Sequence, residues 1–262
     1  MADIYITGSD QVWAQLISDK NNRAYFLDFG NKSIKRIAYA PSFAMESYPQ
    51  DLIPELSHLL KTFDAVSVRE NIGIDICKAA GRNDAKVVLD PTLLLDGRVY
   101  KDLFIKQDKL EHEYIFIYSL NILSKEEMEW EFLKQYAKDS NLDILVTPSS
   151  GVYPAKELFE EVTYSYCTIE KWLSNIAYSK LTVTTSFHGI VFCILLNKNF
   201  VYIPLKNSFK RANNRVIDLL EILDLRNKIF TQTQSFKETV NSPIDWDNFN
   251  NILNEERNHS FF

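Results

Sequence analysis

The order of apolar and polar positions along the chain changes period repeatedly. Short continuous apolar runs predict buried strands, and stretches with apolar residues every three or four positions predict helices. The predicted strands, most of them such runs, lie at residues 4–7, 24–27, 37–40, 64–68, 87–89, 114–118, 144–146, 181–184 and 200–203. The helical stripes begin near residues 52, 72, 128, 169, 190, 216 and 245. This alternation predicts an α/β protein whose parallel sheets are covered on both faces.

The same pattern suggests how the chain is divided. A polar, mixed stretch from about residue 96 to residue 113 predicts a boundary between two lobes. We therefore expect a first lobe over residues 1–105, a second over 106–240 and a C-terminal helix over 241–262. Ser124 and Glu127 have the spacing of a capping box at a helix start. Because a strand stands at the very start, we expect the first lobe to be incomplete, with an exposed edge that favours homo-oligomers.

Composition narrows the classes of function. The chain has 262 residues, of which 46% are hydrophobic, enough for two packed lobes. Its net charge of −6 argues against binding nucleic acid. The three cysteines are far apart and suit neither a disulfide framework nor zinc, so we expect them to be structural and expect no metal. Without a signal peptide or an apolar run near membrane-spanning length, we expect a cytoplasmic protein.

Candidate chemistry lies just after the predicted strands, because ligands of parallel sheets bind beyond the carboxyl ends of the strands. His188 is the sharpest candidate, since it follows a strand and begins a helix. Exposed N–H groups there attract anions, and histidine is a common general acid or base. Gly189 would permit close approach of the backbone to a ligand. The alternative is a histidine that only caps the helix and packs on the sheet.

Three other segments follow strands. Arg69 could hold a phosphate or carboxylate through two parallel hydrogen bonds, although an ordinary ion pair is as good an explanation. The turn Gly8-Ser9-Asp10 could cradle an anion through backbone N–H groups, or be a plain tight turn. The third segment contains Ser42.

Together these segments resemble the polysaccharide pyruvyl transferase family. The matching stretches are residues 5–13 (YITGSDQVW), 38–43 (AYAPSF), 67–70 (SVRE) with Gly73, 88–94 (VLDPTLL), 185–189 (TSFHG) with Val191-Phe192, and Arg215 with Leu219-Leu220. Their order and spacing agree over most of the chain. The resemblance implies two Rossmann-like lobes of GT-B type that face a cleft, phosphoenolpyruvate as donor and no cofactor. It implies a glycan or lipid-linked oligosaccharide as acceptor and a pyruvate ketal as product.

The resemblance also implies roles for particular residues. His188 would be the general acid and Arg69 would hold the donor. The other substrate-binding residues would be Gly8, Ser9, Asp10, Ser42, Ser186, Phe187, Gly189 and Arg215. A lipid-linked acceptor would bring the protein into peripheral contact with a membrane.

Two departures from the family leave alternatives open. Some members carry arginine where this chain has Ser186, so Arg215, Lys206 or Arg211 would have to supply that charge. Members also carry further residues before the first matching strand. Two other functions therefore remain: a GT-B glycosyltransferase that uses a nucleotide sugar, and a truncated, non-catalytic fragment of such an enzyme.

Overall fold

A computed structural model describes residues 2–15, 17–104, 112–148, 157–231 and 235–260. The chain forms two compact units. Unit 1 comprises Met1–Leu94, Ile217–Leu219 and Asn251–Phe262, and unit 2 comprises Leu95–Val216 and Leu220–Asn250. The expected lobe boundary between residues 105 and 106 falls outside the described residues and stays a prediction. No helix in the described part of the chain is long and apolar enough to cross a membrane.

Unit 1 is built on a parallel sheet of four strands in the order β1-β2-β3-β4. The strands are β1 (Ile4–Thr7), β2 (Lys35–Ala38), β3 (Ala65–Val68) and β4 (Lys86–Val87), with helices α1 (Ile53–Leu60) and α2 (Asn71–Ala79) between them. Strand β1 lies at one edge of this sheet, and its Ile4 and Ile6 side chains are exposed. The expectation of an exposed apolar edge in the first lobe agrees with this arrangement.

The core of unit 1 surrounds Trp13. Its fully buried ring stacks on Phe26 with 4.9 Å between ring centroids, and its indole N–H donates to the Tyr25 carbonyl at 3.0 Å. The strand predicted at residues 24–27 is wrong, because a 3₁₀ helix over Lys20–Phe26 occupies this position. Asp19 caps that helix and Leu27 ends it in the left-handed conformation. Capping and tertiary packing override the strand propensity of the aromatic run.

Unit 2 contains a parallel sheet of five strands in the order β7-β6-β5-β8-β9. The strands are β5 (Tyr114–Ser119), β6 (Asp143–Pro148), β7 (Thr163–Tyr164), β8 (Leu181–Thr184) and β9 (Phe200–Tyr202). The helices of this unit are α3 (Gly97–Phe104), α4 (Trp130–Asp139), α5 (Ile169–Tyr178), α6 (Phe187–Leu195) and α8 (Phe236–Asn241). Helices α7 (Asn214–Ile222) and α9 (Trp246–His259) have residues in both units. The first strand of the unit is central, so the strand order reverses between β5 and β8. Ligands of open parallel sheets bind at such a switch point.

Local sequence signals predict the helix starts of unit 2 only in part. The capping box at Ser124 and Glu127 is wrong: Ser124 makes no capping bond with its side chain, and α4 begins later, at Trp130. A capping box forms instead at Ser235 and Glu238. Helix α6 is buried on nearly every side, as its continuous apolar sequence predicted. The parallel sheets with interposed helices confirm the α/β class.

Candidate functional site

The loops that follow β5 and β8 are joined at the switch point of unit 2. Thr185 Oγ1 accepts a hydrogen bond from the Leu120 N–H at 2.7 Å and donates to the Leu120 carbonyl at 2.9 Å. Both backbone groups of Leu120 are thus paired by one buried hydroxyl. This pairing holds the start of α6 beside the end of the central strand.

Helix α6 is held at its start by short-range bonds. Ser186 is the N-cap and accepts from the Gly189 N–H at 3.2 Å, while its own N–H donates to Thr184 Oγ1 at 3.0 Å. A Cβ on Gly189 would lie 2.5 Å from Thr184 Oγ1. Gly189 therefore allows the helix to pack closely on the strand. The expectation that it also lets a ligand approach the backbone stays a prediction.

His188 lies in the first turn of α6 and is partly exposed. The buried Phe187 ring meets its imidazole edge to face, with 5.4 Å between the centroids. Sequence reasoning placed His188 after a strand, at a helix start and at the mouth of a ligand site. The structure shows the first two features directly, whereas the third stays a prediction.

Arg215 is the cation that packs against this helix start. Its guanidinium carbon lies 5.7 Å from the centroid of the Phe187 ring, within the range of a cation–π contact. Of the two other candidates for this charge, Lys206 pairs with Glu129 at 2.8 Å, and Arg211 is exposed. Of the three, Arg215 is therefore the best placed to act beside His188.

A pocket of about 410 Å³ opens at the switch point of unit 2. Its described lining consists of Tyr118, Leu120, Thr147, Pro148, Cys167, Thr168, Ile169, Trp172, Ser186, His188 and Phe192. Trp172 lies between two other aromatic rings, 5.1 Å from Tyr118 and 5.4 Å from Phe192 by ring centroids. Sequence analysis did not predict this aromatic group, because Trp172 and Phe192 fit equally well into apolar helix faces that pack in a core.

The candidate residues of unit 1 form a charged cluster. Arg69 donates to Asp90 at 3.0 Å and to Asp10 at 3.2 Å. The side chains of Arg69 and Asp90 are each 2% exposed, whereas that of Asp10 is 67% exposed. Ser9 Oγ donates to Asp90 at 2.7 Å. The structure thus brings Ser9, Asp10 and Arg69 together, and it adds Asp90, for which sequence analysis predicted no role at the site.

The charge on Asp90 is stabilised inside the fold. Burial alone would raise the pKa of its carboxyl, but the Arg69 guanidinium and hydrogen bonds from Thr92 and Ser9 lower that pKa below its ordinary value. Asp90 is therefore a buried anion at neutral pH. Its pairing with Arg69 makes the two side chains one structural unit.

Gly8 and Ser42 lie beside this cluster: Gly8 directly precedes Ser9, and the Ser42 N–H donates to the Asp10 carbonyl at 2.7 Å. Gly8 has a φ of +110°, and a Cβ there would lie 2.1 Å from the Tyr39 carbonyl oxygen, so only glycine fits. Ser42 donates to Glu70 at 2.9 Å, and the same carboxylate accepts from the Phe43 N–H at 3.0 Å. The Arg69 guanidinium thus pairs with two carboxylates, those of Asp10 and Asp90, while Glu70 accepts from Ser42 and the Phe43 N–H. The contacts of Arg69 favour holding carboxylates in place over gripping a free anion.

Comparison with known proteins identifies the family. The family model for polysaccharide pyruvyl transferase matches residues 1–207. The chain belongs to the polysaccharide pyruvyl transferase family. A comparison with curated proteins finds no match. Among the residues that the structure describes, no group of His, Cys, Asp and Glu could hold a metal ion.

Solved structures support the fold of this pyruvyl transferase family member. A protein from Listeria monocytogenes, described as a UDP-N-acetylglucosamine 2-epimerase, is 10% identical with a TM-score of 0.51, over 98% of this chain and 74% of that one. MurG from Acinetobacter baumannii is 14% identical with a TM-score of 0.43, over 86% and 69% of the two chains. The first similarity is one of fold and agrees with two Rossmann-like lobes of GT-B type, whereas the second is too weak to add support.

Proposed function

We propose that this protein transfers pyruvate from phosphoenolpyruvate to a pair of hydroxyls on a sugar of a cell-surface glycan or its lipid-linked precursor. The product is a pyruvate ketal. The observation that carries the proposal is the position of His188, partly exposed in the first turn of α6 and lining the pocket at the switch point of unit 2. Family membership supports the class of reaction.

The proposed chemistry needs a proton donor and no cofactor. His188 protonates the methylene carbon of the enol, which leaves positive charge on the neighbouring carbon. One sugar hydroxyl adds to that carbon and loses its proton. Phosphate then leaves with its bridging oxygen, and the second hydroxyl adds and gives up its proton. Phosphoenolpyruvate and a diol are thus converted into a ketal and inorganic phosphate.

Charges near α6 suit an anionic donor. The N-terminus of the helix carries partial positive charge, and Arg215 packs on Phe187 beside it. The helix N-terminus disfavours a charged imidazole, whereas a donor anion bound nearby favours it. We therefore propose that donor binding helps to keep His188 protonated, and that Arg215 supplies the charge that some family members carry at the position of Ser186.

In unit 1 we propose a positioning role for Arg69. Its bonds to Asp90 and Asp10 orient the exposed carboxylate of Asp10, which follows β1. The direct contact between Arg69 and the donor that the family resemblance implies stays a prediction. It requires Arg69 to give up Asp10 as a partner when the donor binds.

The location and partners follow from the acceptor. We propose a cytoplasmic enzyme whose lipid-linked acceptor brings it into peripheral contact with a membrane. The exposed β1 edge, with Ile4 and Ile6, is the surface that we propose for self-association.

Donor choice tests the proposal. Titration calorimetry of the purified protein should detect binding of phosphoenolpyruvate and no binding of UDP-sugars. With phosphoenolpyruvate and a glycan acceptor present, phosphate release should accompany the mass gain of a ketal-linked pyruvate. Turnover of a nucleotide sugar would favour the glycosyltransferase alternative instead. Failure to bind either donor would favour the non-catalytic fragment.

A further inference from the structure

One wall of the unit 2 pocket is aromatic and uncharged. Tyr118, Trp172 and Phe192 supply three rings, of which Trp172 makes edge-to-face contacts with the other two. Among the described residues that line the pocket there is no lysine, arginine, aspartate or glutamate. The polar groups at this wall are neutral ones, such as the Thr147 hydroxyl, which lies 3.5 Å from Cys167 Sγ.

At each of the two helix starts that border the pocket, one backbone N–H is already paired with a side chain. At α5, the Thr168 hydroxyl accepts from the Lys171 N–H, and the Glu170 carboxylate makes bonds at the same turn that lower its pKa. At α6, the Ser186 hydroxyl accepts from the Gly189 N–H. A negative charge is thus already present at the start of α5. A second anion there would be repelled, and burial against the aromatic wall would cost it hydration.

We propose that this aromatic wall binds one uncharged sugar ring of the acceptor and discriminates against acidic sugars. The inference rests on the proposed function, because it assigns an acceptor subsite and its specificity to the pocket that holds His188. The C–H face of a sugar ring would pack against the aromatic side chains, and its hydroxyls would reach the neutral polar groups. A cavity of about 410 Å³ has room for a single ring with its substituents.

The preference for neutral sugars follows from the absence of charged side chains in the aromatic wall. A uronic acid differs from its parent hexose by a carboxylate in place of the C6 hydroxymethyl group. Against this wall the carboxylate would lose hydration without gaining a lysine or arginine partner among the described lining residues, and the charge of a protonated His188 would already face the anionic donor. A neutral hexose loses only hydroxyl hydration, which hydrogen bonds can replace.

Cys167 provides a readout of occupancy that needs no donor and no turnover. It lines the pocket and is partly exposed, whereas Cys77 and Cys193 are buried. Alkylation of the folded protein by iodoacetamide, mapped by peptide mass spectrometry, should therefore modify Cys167 first. A sugar bound at the aromatic wall should slow that modification.

The experiment compares matched ligands. The probes are methyl glycosides of glucose, galactose, mannose and N-acetylglucosamine, the methyl glycoside of glucuronic acid as the charged counterpart of glucose, and uridine. We expect at least one neutral glycoside to protect Cys167 at millimolar concentration and the glucuronide to protect about tenfold less well or not at all. Equal protection by the glucuronide, or protection by uridine alone, would overturn the inference.

Two variants and a control place the ligand at the wall. Trp172→Leu should raise the half-protecting concentration of the neutral glycoside about tenfold. Phe132→Leu removes an exposed ring that does not line the pocket and should change nothing. Ile169→Arg adds a cation at an exposed lining position, so it should improve protection by the glucuronide even if Trp172→Leu fails to fold. No gain for the glucuronide in Ile169→Arg would count against the inference.

These measurements test the sugar subsite separately from the proposed pyruvyl transfer. Protection of Cys167 by neutral glycosides without any pyruvyl transfer would support the sugar subsite and refute the proposed reaction. The opposite result is pyruvyl transfer with no protection by any glycoside and an unchanged acceptor KM in Trp172→Leu. It would support the reaction and refute the subsite.

Discussion

Replacing Arg69 by methionine tests whether its main task is to neutralise a buried carboxylate. The substitution keeps an unbranched apolar stem and removes the guanidinium, so Asp90 stays buried without its ionic partner. Breaking one side of a buried ion pair typically destabilises a protein by about 3–5 kcal/mol. Asp90→Asn should cost less, about 1–3 kcal/mol, because Arg69 keeps the exposed Asp10 as a partner. The double variant should cost less than the two single losses combined.

The pH dependence of this loss follows from the pKa of Asp90. In the wild type that pKa is lowered in the fold, so Asp90 contributes stability above its unfolded pKa and loses it as pH falls through the folded pKa. In Arg69→Met, burial still raises the pKa of Asp90, but the guanidinium charge that mainly opposes this rise is gone. The folded variant then takes up a proton more readily than its unfolded chain. The destabilisation should therefore be largest at neutral pH and shrink toward pH ~4.

The measurement is urea unfolding followed by tryptophan fluorescence, at neutral pH and at several values down to about 4.5. Arg98→Met is the matched control. Arg98 pairs with Asp96 at the same 3.0 Å distance, but both side chains are well exposed, so its loss should change stability little. A loss in Arg69→Met below about 1 kcal/mol, or one that does not vary with pH, would refute the buried pair as the dominant role of Arg69.

Three further predictions concern unit 2. Gly189→Ala should destabilise the protein by about 1–3 kcal/mol in urea unfolding, because the new Cβ would lie 2.5 Å from Thr184 Oγ1; unchanged stability would mean that α6 is not packed so closely. Lys228→Met should cost about 2 kcal/mol or more by the same assay, since the buried ammonium donates to Asn199 Oδ1 at 2.8 Å and to the Val240 carbonyl at 3.2 Å; wild-type stability would contradict this. Arg215→Met should weaken phosphoenolpyruvate binding at least tenfold in calorimetry, about 1.4 kcal/mol, with UDP-sugars still unbound; unchanged affinity would remove Arg215 from the donor site.

The parallel α/β class and the positions that follow strands could be predicted from the sequence. Continuous apolar runs such as residues 114–118 form strands because burial on both faces favours apolar residues throughout. The same rule placed Ser186 and His188 at the start of a helix after a strand. These assignments depend only on period and local chemistry, which a single sequence carries.

The partners of the site residues could not be predicted, because they come from distant parts of the chain. Asp90 lies 21 positions from Arg69, and Tyr118 lies far in sequence from the Trp172 that it contacts. Local sequence signals also gave a wrong prediction where the same residues fit two local structures equally well. The spacing of Ser124 and Glu127 fits a capping box, yet the chain there forms a 3₁₀ turn, and α4 starts only at Trp130.

The central claim is that His188 is the acid that protonates the donor. The most direct measurement compares turnover of phosphoenolpyruvate with melting temperature for the wild type and His188→Asn on the same preparations. The account predicts that turnover falls about 10²–10⁴-fold while the melting temperature stays close to that of the wild type. A variant that retains near wild-type turnover, or one that loses stability but not turnover per folded molecule, would contradict it.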